Sequence, residues 1–222
     1  MNVILFGATG MVGQGVLREC LLAPDVQRVL SIVRSPGGQQ DSKLREVVPS
    51  DFHDLSSIES ELSGYDACFF TLGVTSAGMA EEQYSHVTYD LTLAAARLLA
   101  RLNPGMTFVY VSGAGTDSTE SGRTMWARVK GKTENAILRL PFKAAYMFRP
   151  GVIQPLHGIR SKTKSYQVLY AIATPIFPLL KALFPRHIVT TEGLGRAMLN
   201  VVRHGFPKPI LEAGDIISAA QT

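Results

Sequence analysis

Short apolar runs alternate with helix-period segments along most of the chain. Val3, Ile4, Leu5 and Phe6 form a continuous apolar run, the pattern of a strand buried on both faces. Gly7-Ala8-Thr9-Gly10 interrupts it. A helical pattern follows over 11–22, with Val12, Val16 and Leu17 on one face, and Pro24-Asp25 ends it. Residues 29–33 read as the next strand, closed by Ser35-Pro36-Gly37-Gly38. A third strand is expected over 44–48 and a short helix over 58–62. Ala67, Cys68, Phe69 and Phe70 make a fourth strand, and a long Ala- and Leu-rich helix over 80–102 is stopped by Pro104-Gly105. A fifth strand over 108–111, a polar loop over 113–122, a helix over 124–138 and a strand over 144–148 complete the series.

Strand and helix alternate at least five times, which predicts an α/β fold with a doubly wound parallel sheet. After Arg149-Pro150-Gly151 the rhythm weakens and prolines recur at 155, 175, 178, 185, 207 and 209. We expect a nucleotide-sized α/β domain over 1–151. A small C-terminal, substrate-side lobe over 152–222 should pack on it, with helices over 166–184 and 192–204 and a short strand near Ile210-Leu211.

Composition narrows the class. The chain has 222 residues, 46% apolar and 18% charged, which excludes a disordered chain. The net charge of +4 is mild and scattered, which suits an anionic ligand and argues against a nucleic-acid groove. Two cysteines, Cys20 and Cys68, sit in apolar runs; they build neither a disulfide framework nor a four-cysteine zinc site. No metal site is expected. The amino terminus has no basic run ahead of its apolar residues. The longest apolar stretch, 168–180, is about 13 residues against the roughly 20 that span a bilayer. These features predict a soluble, cytoplasmic protein. The stretch over 168–184 is read first as core packing, with a lid, a dimer contact, a greasy substrate slot or membrane contact as alternatives.

Gly7-Ala8-Thr9-Gly10-Met11-Val12-Gly13 has the spacing G-x-x-G-x-x-G, directly after a buried strand and opening a helix. Gly7 and Gly10 permit a tight turn under a pyrophosphate, Thr9 lies in that turn, and the first helical amides, near Met11 and Val12, face the phosphates. Gly13 lets the helix approach the strand. The end of the second strand selects between cofactors. An acid there binds ribose hydroxyls, whereas this chain has Arg34 and no acid before Asp41. A guanidinium suits a 2′-phosphate, so NADP(H) is expected over NAD(H). Asp54, after the third strand, either reads an adenine amino group or caps the following helix.

With these residues in place the chain resembles the atypical and extended short-chain dehydrogenase/reductases, a Rossmann-fold superfamily of NAD(P)-dependent epimerases, dehydratases and reductases and of NmrA-like dinucleotide sensors. The likeness spans about 1–151 well and the remainder loosely. It rests on Gly7, Gly10 and Gly13, and on Thr71-Leu72-Gly73, which looks like a cofactor-lining loop. Val129-Lys130-Gly131-Lys132-Thr133-Glu134 resembles the active-site helix, and Arg149-Pro150-Gly151 the turn near the nicotinamide. The family's chemistry uses Tyr-x-x-x-Lys with a Ser or Thr from the end of the fifth strand. Lysine lowers the phenol pKa and holds the ribose. Here Lys130 is present, but Trp126 stands four residues before it, and an indole N–H only donates. Ser112 is the hydroxyl candidate, with Thr116, Ser118 and Thr119 nearby.

The resemblance implies an NADP(H)-binding oxidoreductase or epimerase-like protein acting on a small-molecule substrate. Lys130 would hold the cofactor, Ser112 would orient the substrate oxygen and Trp126 would close the pocket. His157 or His86 could supply the proton, and Tyr89 could line the pocket. Arg160, Lys162 and Lys164 either hold an acidic substrate or are solvated. The missing tyrosine motivates an alternative, a dinucleotide sensor or scaffold that reports to a partner protein. A homodimer is a family-level expectation.

Overall fold

The computed structural model describes residues 1–159 and 187–222. The expected helix over 166–184, its apolar stretch and the basic cluster Arg160, Lys162 and Lys164 lie outside the described residues.

The strands are β1 (Asn2–Phe6), β2 (Arg28–Ile32), β3 (Leu44–Val47), β4 (Ala67–Phe70), β5 (Thr107–Val111), β6 (Ala144–Arg149), β7 (Val152–Gln154), β8 (Ile188–Thr190) and β9 (Ile210–Glu212). The α-helices are α1 (Met11–Leu22), α2 (Glu81–Ser85), α3 (Leu91–Leu102), α4 (Met125–Leu138), α5 (Thr191–His204) and α6 (Ala213–Ala219), with a 3-10 turn at Ser56–Glu61. Seven strands form one sheet in the order β3-β2-β1-β4-β5-β6-β9, and every pairing is parallel. This is the doubly wound α/β fold that the alternation predicts.

The apolar runs are continuous because both faces of the sheet are covered. Val3 and Leu5 point to one side with Val29, Phe69, Val109 and Phe148, under α1, α5 and α6. Ile4 and Phe6 point to the other with Leu30, Cys68, Phe70, Phe108 and Tyr110, under α3. Helix α1 meets α5 at glycines: a Cβ at Gly15 would stand 2.7 Å from Thr191, and one at Gly195 would stand 2.8 Å from Glu19.

Two expectations change. The single helix over 80–102 is α2 and α3 joined by a turn of π-helix at His86–Asp90. Residues 188–222 do not stand apart as a lobe of their own. β9 adds to the main sheet beside β6, in the register Arg149↔Glu212, and α5 covers the same face as α1. Outside the main sheet lies the parallel pair β7–β8, which joins the chain just after Gly151 to the start of α5.

Candidate cofactor cleft

The strand order reverses between β1 and β4, and parallel α/β sheets open a crevice at the carboxyl ends of their strands at such a point. A cleft of about 640 Å³ lies there. Its walls come from the loop after β1 (Gly7, Thr9, Gly10, Met11, Val12), from Arg34 after β2, and from Thr71, Leu72 and Gly73 after β4. Ser112 after β5, Lys130 of α4, and Pro150 and Gly151 after β6 complete it.

Gly7 must be glycine on two counts. Its φ is +85°, and a Cβ there would stand 2.8 Å from Thr71 Oγ1 and 2.9 Å from the Leu72 nitrogen. Gly10 donates its amide to the Gly7 carbonyl at 2.9 Å and begins α1 in extended conformation. No side chain caps α1, and its first turn carries no acid. The early amides of the helix therefore meet the cleft without an internal acceptor or a competing carboxylate, as an anion requires. Gln14 Nε2 ties the loop down through the Thr9 carbonyl at 3.1 Å. Gly13 is not in the cleft wall; it lies behind the loop, where a Cβ would overlap the Gly7 carbonyl oxygen at 2.0 Å.

Arg34 is exposed at the cleft and makes no ion pair among the described residues. Arg34 and Lys130 are the only ionisable side chains among the described residues of the wall. The cleft therefore offers positive charge and no carboxylate.

Lys130 Nζ donates to the carbonyls of Val111 and Ser112 at 3.5 and 3.4 Å, and stands 5.3 Å from the centre of the Tyr110 ring. Burial pulls its ammonium pKa down to about 8, with the Glu134 carboxylate acting in the opposite direction. Ser112 Oγ lies 2.8 Å from Thr116 Oγ1, and the Thr116 hydroxyl donates to the Gly113 carbonyl at 2.7 Å. A hydroxyl has one proton, so Ser112 is the donor to Thr116 and presents lone pairs elsewhere.

Arg149 forms a buried junction behind this wall. Its Nε and Nη2 grip both oxygens of Glu134 at 3.0 and 2.5 Å, Nη1 reaches Glu212 at 3.3 Å, and Nη2 also donates to Ser118 Oγ at 2.6 Å. β6, α4, β9 and the loop after β5 are thereby fastened at one guanidinium. The role of Glu134 was missed in the sequence. Also missed were Ile32, Val33, Phe52, Val74, Thr75, Val111 and Ile153, apolar or small wall residues with no motif of their own.

Several expected site residues lie elsewhere. Trp126 is not in the wall. Its indole lies along the glycine loop after β5, where a Cβ at Gly115 would be 3.7 Å from Cη2 and one at Gly113 4.0 Å from Cζ3. His157 is outside as well, because its Nε2 lies 2.7 Å from Glu192 Oε2; His157 holds the Glu192 carboxyl below its usual range. Asp54 is exposed, outside the cleft wall, and accepts the Ser56 amide at 2.9 Å, which lowers its carboxyl pKa. His86 stacks on His53 with ring centres 4.2 Å apart and meets Asp90 at 3.2 Å. Tyr89 lies under Lys132, 4.5 Å from its Nζ. Cys20 and Cys68 are buried, and burial raises both thiols. No group of metal-ligating side chains occurs among the described residues.

A family model described as NAD(P)H-binding matches residues 7–139. The chain belongs to this NAD(P)H-binding family. Its relatives include "Protein FMP52, mitochondrial" of Saccharomyces cerevisiae, 32% identical over 168 residues, which are 74% of this chain and 69% of that protein. "Protein fmp52, mitochondrial" of Emericella nidulans is 32% identical over 159 residues, 68% of this chain and 66% of that protein. The chain spans about two thirds of the length of the curated relatives it matches. Those names correct the cytoplasmic location expected from composition and the amino terminus: the fungal relatives are named mitochondrial proteins. No helix among the described residues is long and apolar enough to cross a membrane.

Among solved structures, Gre2 of Candida albicans in complex with NADPH superposes with a TM-score of 0.70 at 12% identity, covering 96% of this chain and 77% of that one. An oxidoreductase of the short-chain dehydrogenase/reductase family from Burkholderia thailandensis gives 0.68 at 15% identity, covering 98% and 92%. These likenesses show a Rossmann-like α/β fold, and the family model shows the NAD(P)H-binding family.

Proposed function

We propose that the chain is an NADP(H)-binding oxidoreductase of the atypical short-chain class, moving hydride at a carbonyl or alcohol carbon of a small molecule. The observation that carries this reading is the cleft itself. An uncapped helix start and the Gly7–Gly10 loop, an unpaired Arg34 and a desolvated Lys130 converge on one 640 Å³ space whose wall carries no carboxylate among the described residues. The residues fit a dinucleotide phosphate. Gly7 leaves backbone where a side chain would intrude, the first amides of α1 suit a pyrophosphate, and Arg34 suits a 2′-phosphate. When bound, such a cofactor supplies the hydride. Ser112 offers oxygen lone pairs, and Lys130, which donates to the Ser112 carbonyl, sets an ammonium beside them.

Arg34→Ala tests the phosphate preference. Charge-assisted hydrogen bonds are worth about 1.5–3 kcal/mol, so calorimetry should show NADPH affinity falling about 10–100-fold, with NADH affinity changed about twofold at most. Equal losses for both nucleotides would remove the 2′-phosphate reading. No heat with either nucleotide in the unmodified protein would remove the cofactor reading altogether.

A second reading, a dinucleotide sensor without turnover, is favoured by one observation. The indole of Trp126, four residues before Lys130, lies along the Gly113–Gly115 loop and outside the cleft wall, which leaves the spacing of the resembled family's tyrosine without an ionisable donor. It requires tight nucleotide binding with no oxidation of NADPH across a panel of aldehydes and ketones.

A further inference from the structure

The cleft needs a proton donor if carbonyl reduction is its task, and elimination leaves few. The indole of Trp126 neither ionises usefully nor lines the cleft. Ser112 spends its single proton on Thr116, which spends its own on Gly113. His157 is held by Glu192, His86 lies on His53 beside Asp90, and neither lines the cleft. Arg34 does not release a proton in water. Among the ionisable side chains of the described wall only Lys130 remains.

The surroundings of Lys130 favour this task. A lysine four residues before a glutamate on a helix ordinarily pairs with it. Here Arg149 takes both oxygens of Glu134, and Lys130 is left with two backbone carbonyls near the limit of hydrogen bonding. No carboxylate forms an ion pair with Lys130 among the described residues. The charged or titratable groups around it are few. Glu134 on α4 acts at a distance and is matched by Arg149 on β6. Tyr110 on β5 is a buried phenol whose pKa burial raises, so it stays neutral.

We propose that Lys130, rather than a tyrosine, is the proton-transfer group of this cleft, and that Arg149 sets it free for that role by engaging Glu134. This rests on the NADP(H)-dependent oxidoreductase reading. The reductant is a dihydronicotinamide dinucleotide. In reduction the carbonyl carbon accepts the hydride, the C=O π pair moves to oxygen, and that oxygen takes a proton from Nζ. The N–H pair stays on nitrogen, and water reprotonates the amine. Oxidation of an alcohol runs in reverse, with neutral Nζ as the base. Lys130 is then a catalytic residue, and Arg149 a positioning residue that acts through Glu134.

The first readout needs no turnover. In protein labelled with 13C at lysine Cε, the resonance missing from Lys130→Arg should titrate with a midpoint near 8, while exposed lysines titrate near 10.4. The second is the pH profile with NADPH and the aldehyde and ketone panel. Reduction should fall as pH rises through about 8, because the protonated amine is the donor, and oxidation should rise through the same value. Lys130→Arg keeps the charge and the fold and should lose this limb, together with about 100-fold or more in kcat. Arg149→Gln, if it folds, should move the Lys130 midpoint upward by returning Glu134 to it. A midpoint near the ordinary lysine value overturns the proposal, as does a Lys130→Arg enzyme with an unchanged profile. A midpoint near 8 with no turnover on the panel also overturns it and leaves the sensor. In each of these cases NADPH binding by calorimetry stands or falls separately, which keeps the cofactor reading distinct.

Discussion

Exchanging Glu134 for leucine is expected to cost the fold about 3–5 kcal/mol, the penalty for leaving a buried charge without its partner. Glu134 is fully buried and Arg149 is 8% exposed. The pair is bidentate, and the guanidinium cannot escape by losing its proton. Its other partners do not replace the carboxylate. Glu212 is half-exposed at 3.3 Å, and Ser118 supplies a neutral oxygen. For a chain of this length a loss of that size should lower Tm by about 10 °C or more. Two comparisons separate this from a generic surface effect. Arg203→Ala removes the exposed pair with Asp25 and should cost about 1 kcal/mol or less. Combining Glu134→Leu with Arg149→Met removes both buried charges and should recover much of the single-variant loss. A Glu134→Leu protein melting within about 2 °C of the unmodified chain would show that the junction does not hold the wall of the cleft.

The same junction shows why part of the site could not be read in the sequence. The spacing of Lys130 and Glu134 is visible, and i,i+4 geometry suggests that they pair. The competing partner, Arg149, arrives from β6, and only the parallel β5–β6 pairing beside α4 brings it there. The placement of β9 has the same cause. Ile210–Glu212 is three residues long, too short for its pattern to name a neighbour, and its register against β6 is a contact across more than 60 residues of chain. The glycine turn after β1 was legible because all its determinants are local: a buried strand, Gly7 where φ is positive, and a helix starting at Met11. Arg34 reaches the cleft wall for the same local reason, since it stands two residues beyond the end of β2. Trp126 was located on α4 by its spacing from Lys130, but the spacing says nothing about what the indole touches. The glycines at 113 and 115 lie beside the indole, at distances where an added Cβ would make ordinary contact with it.

Gly13→Ala is expected to damage the cleft although residue 13 does not line it. A Cβ at position 13 would overlap the Gly7 carbonyl oxygen at 2.0 Å and stand 2.6 Å from the Gly7 carbonyl carbon and 2.9 Å from the Ala8 Cα. All three are backbone atoms of the phosphate loop, so no side chain can swing aside, and the helix start must move away from the strand end. Alanine gains about 1 kcal/mol of helix propensity over glycine, whereas overpacking of this kind costs about 1–3 kcal/mol or more. The net stability loss is therefore modest, about 0–2 kcal/mol. The larger effect is on the proposed nucleotide. Displacing the Met11 and Val12 amides by a fraction of an ångström to 1 Å removes the geometry that would hold the pyrophosphate. NADPH affinity should fall about 100-fold or more, an estimate scaled from the cost of a 1 Å misplacement. Gly10→Ala is the graded comparison. Its Cβ would stand 3.3 Å from the Gly7 oxygen, at a φ of −79° that alanine accepts, so its loss should be smaller by about tenfold. Calorimetry on both variants, with thermal melts confirming that each is folded, decides the matter. Equal affinities for Gly10→Ala and Gly13→Ala would mean that the helix start does not carry the phosphate, and that Arg34 and Lys130 hold the nucleotide without it.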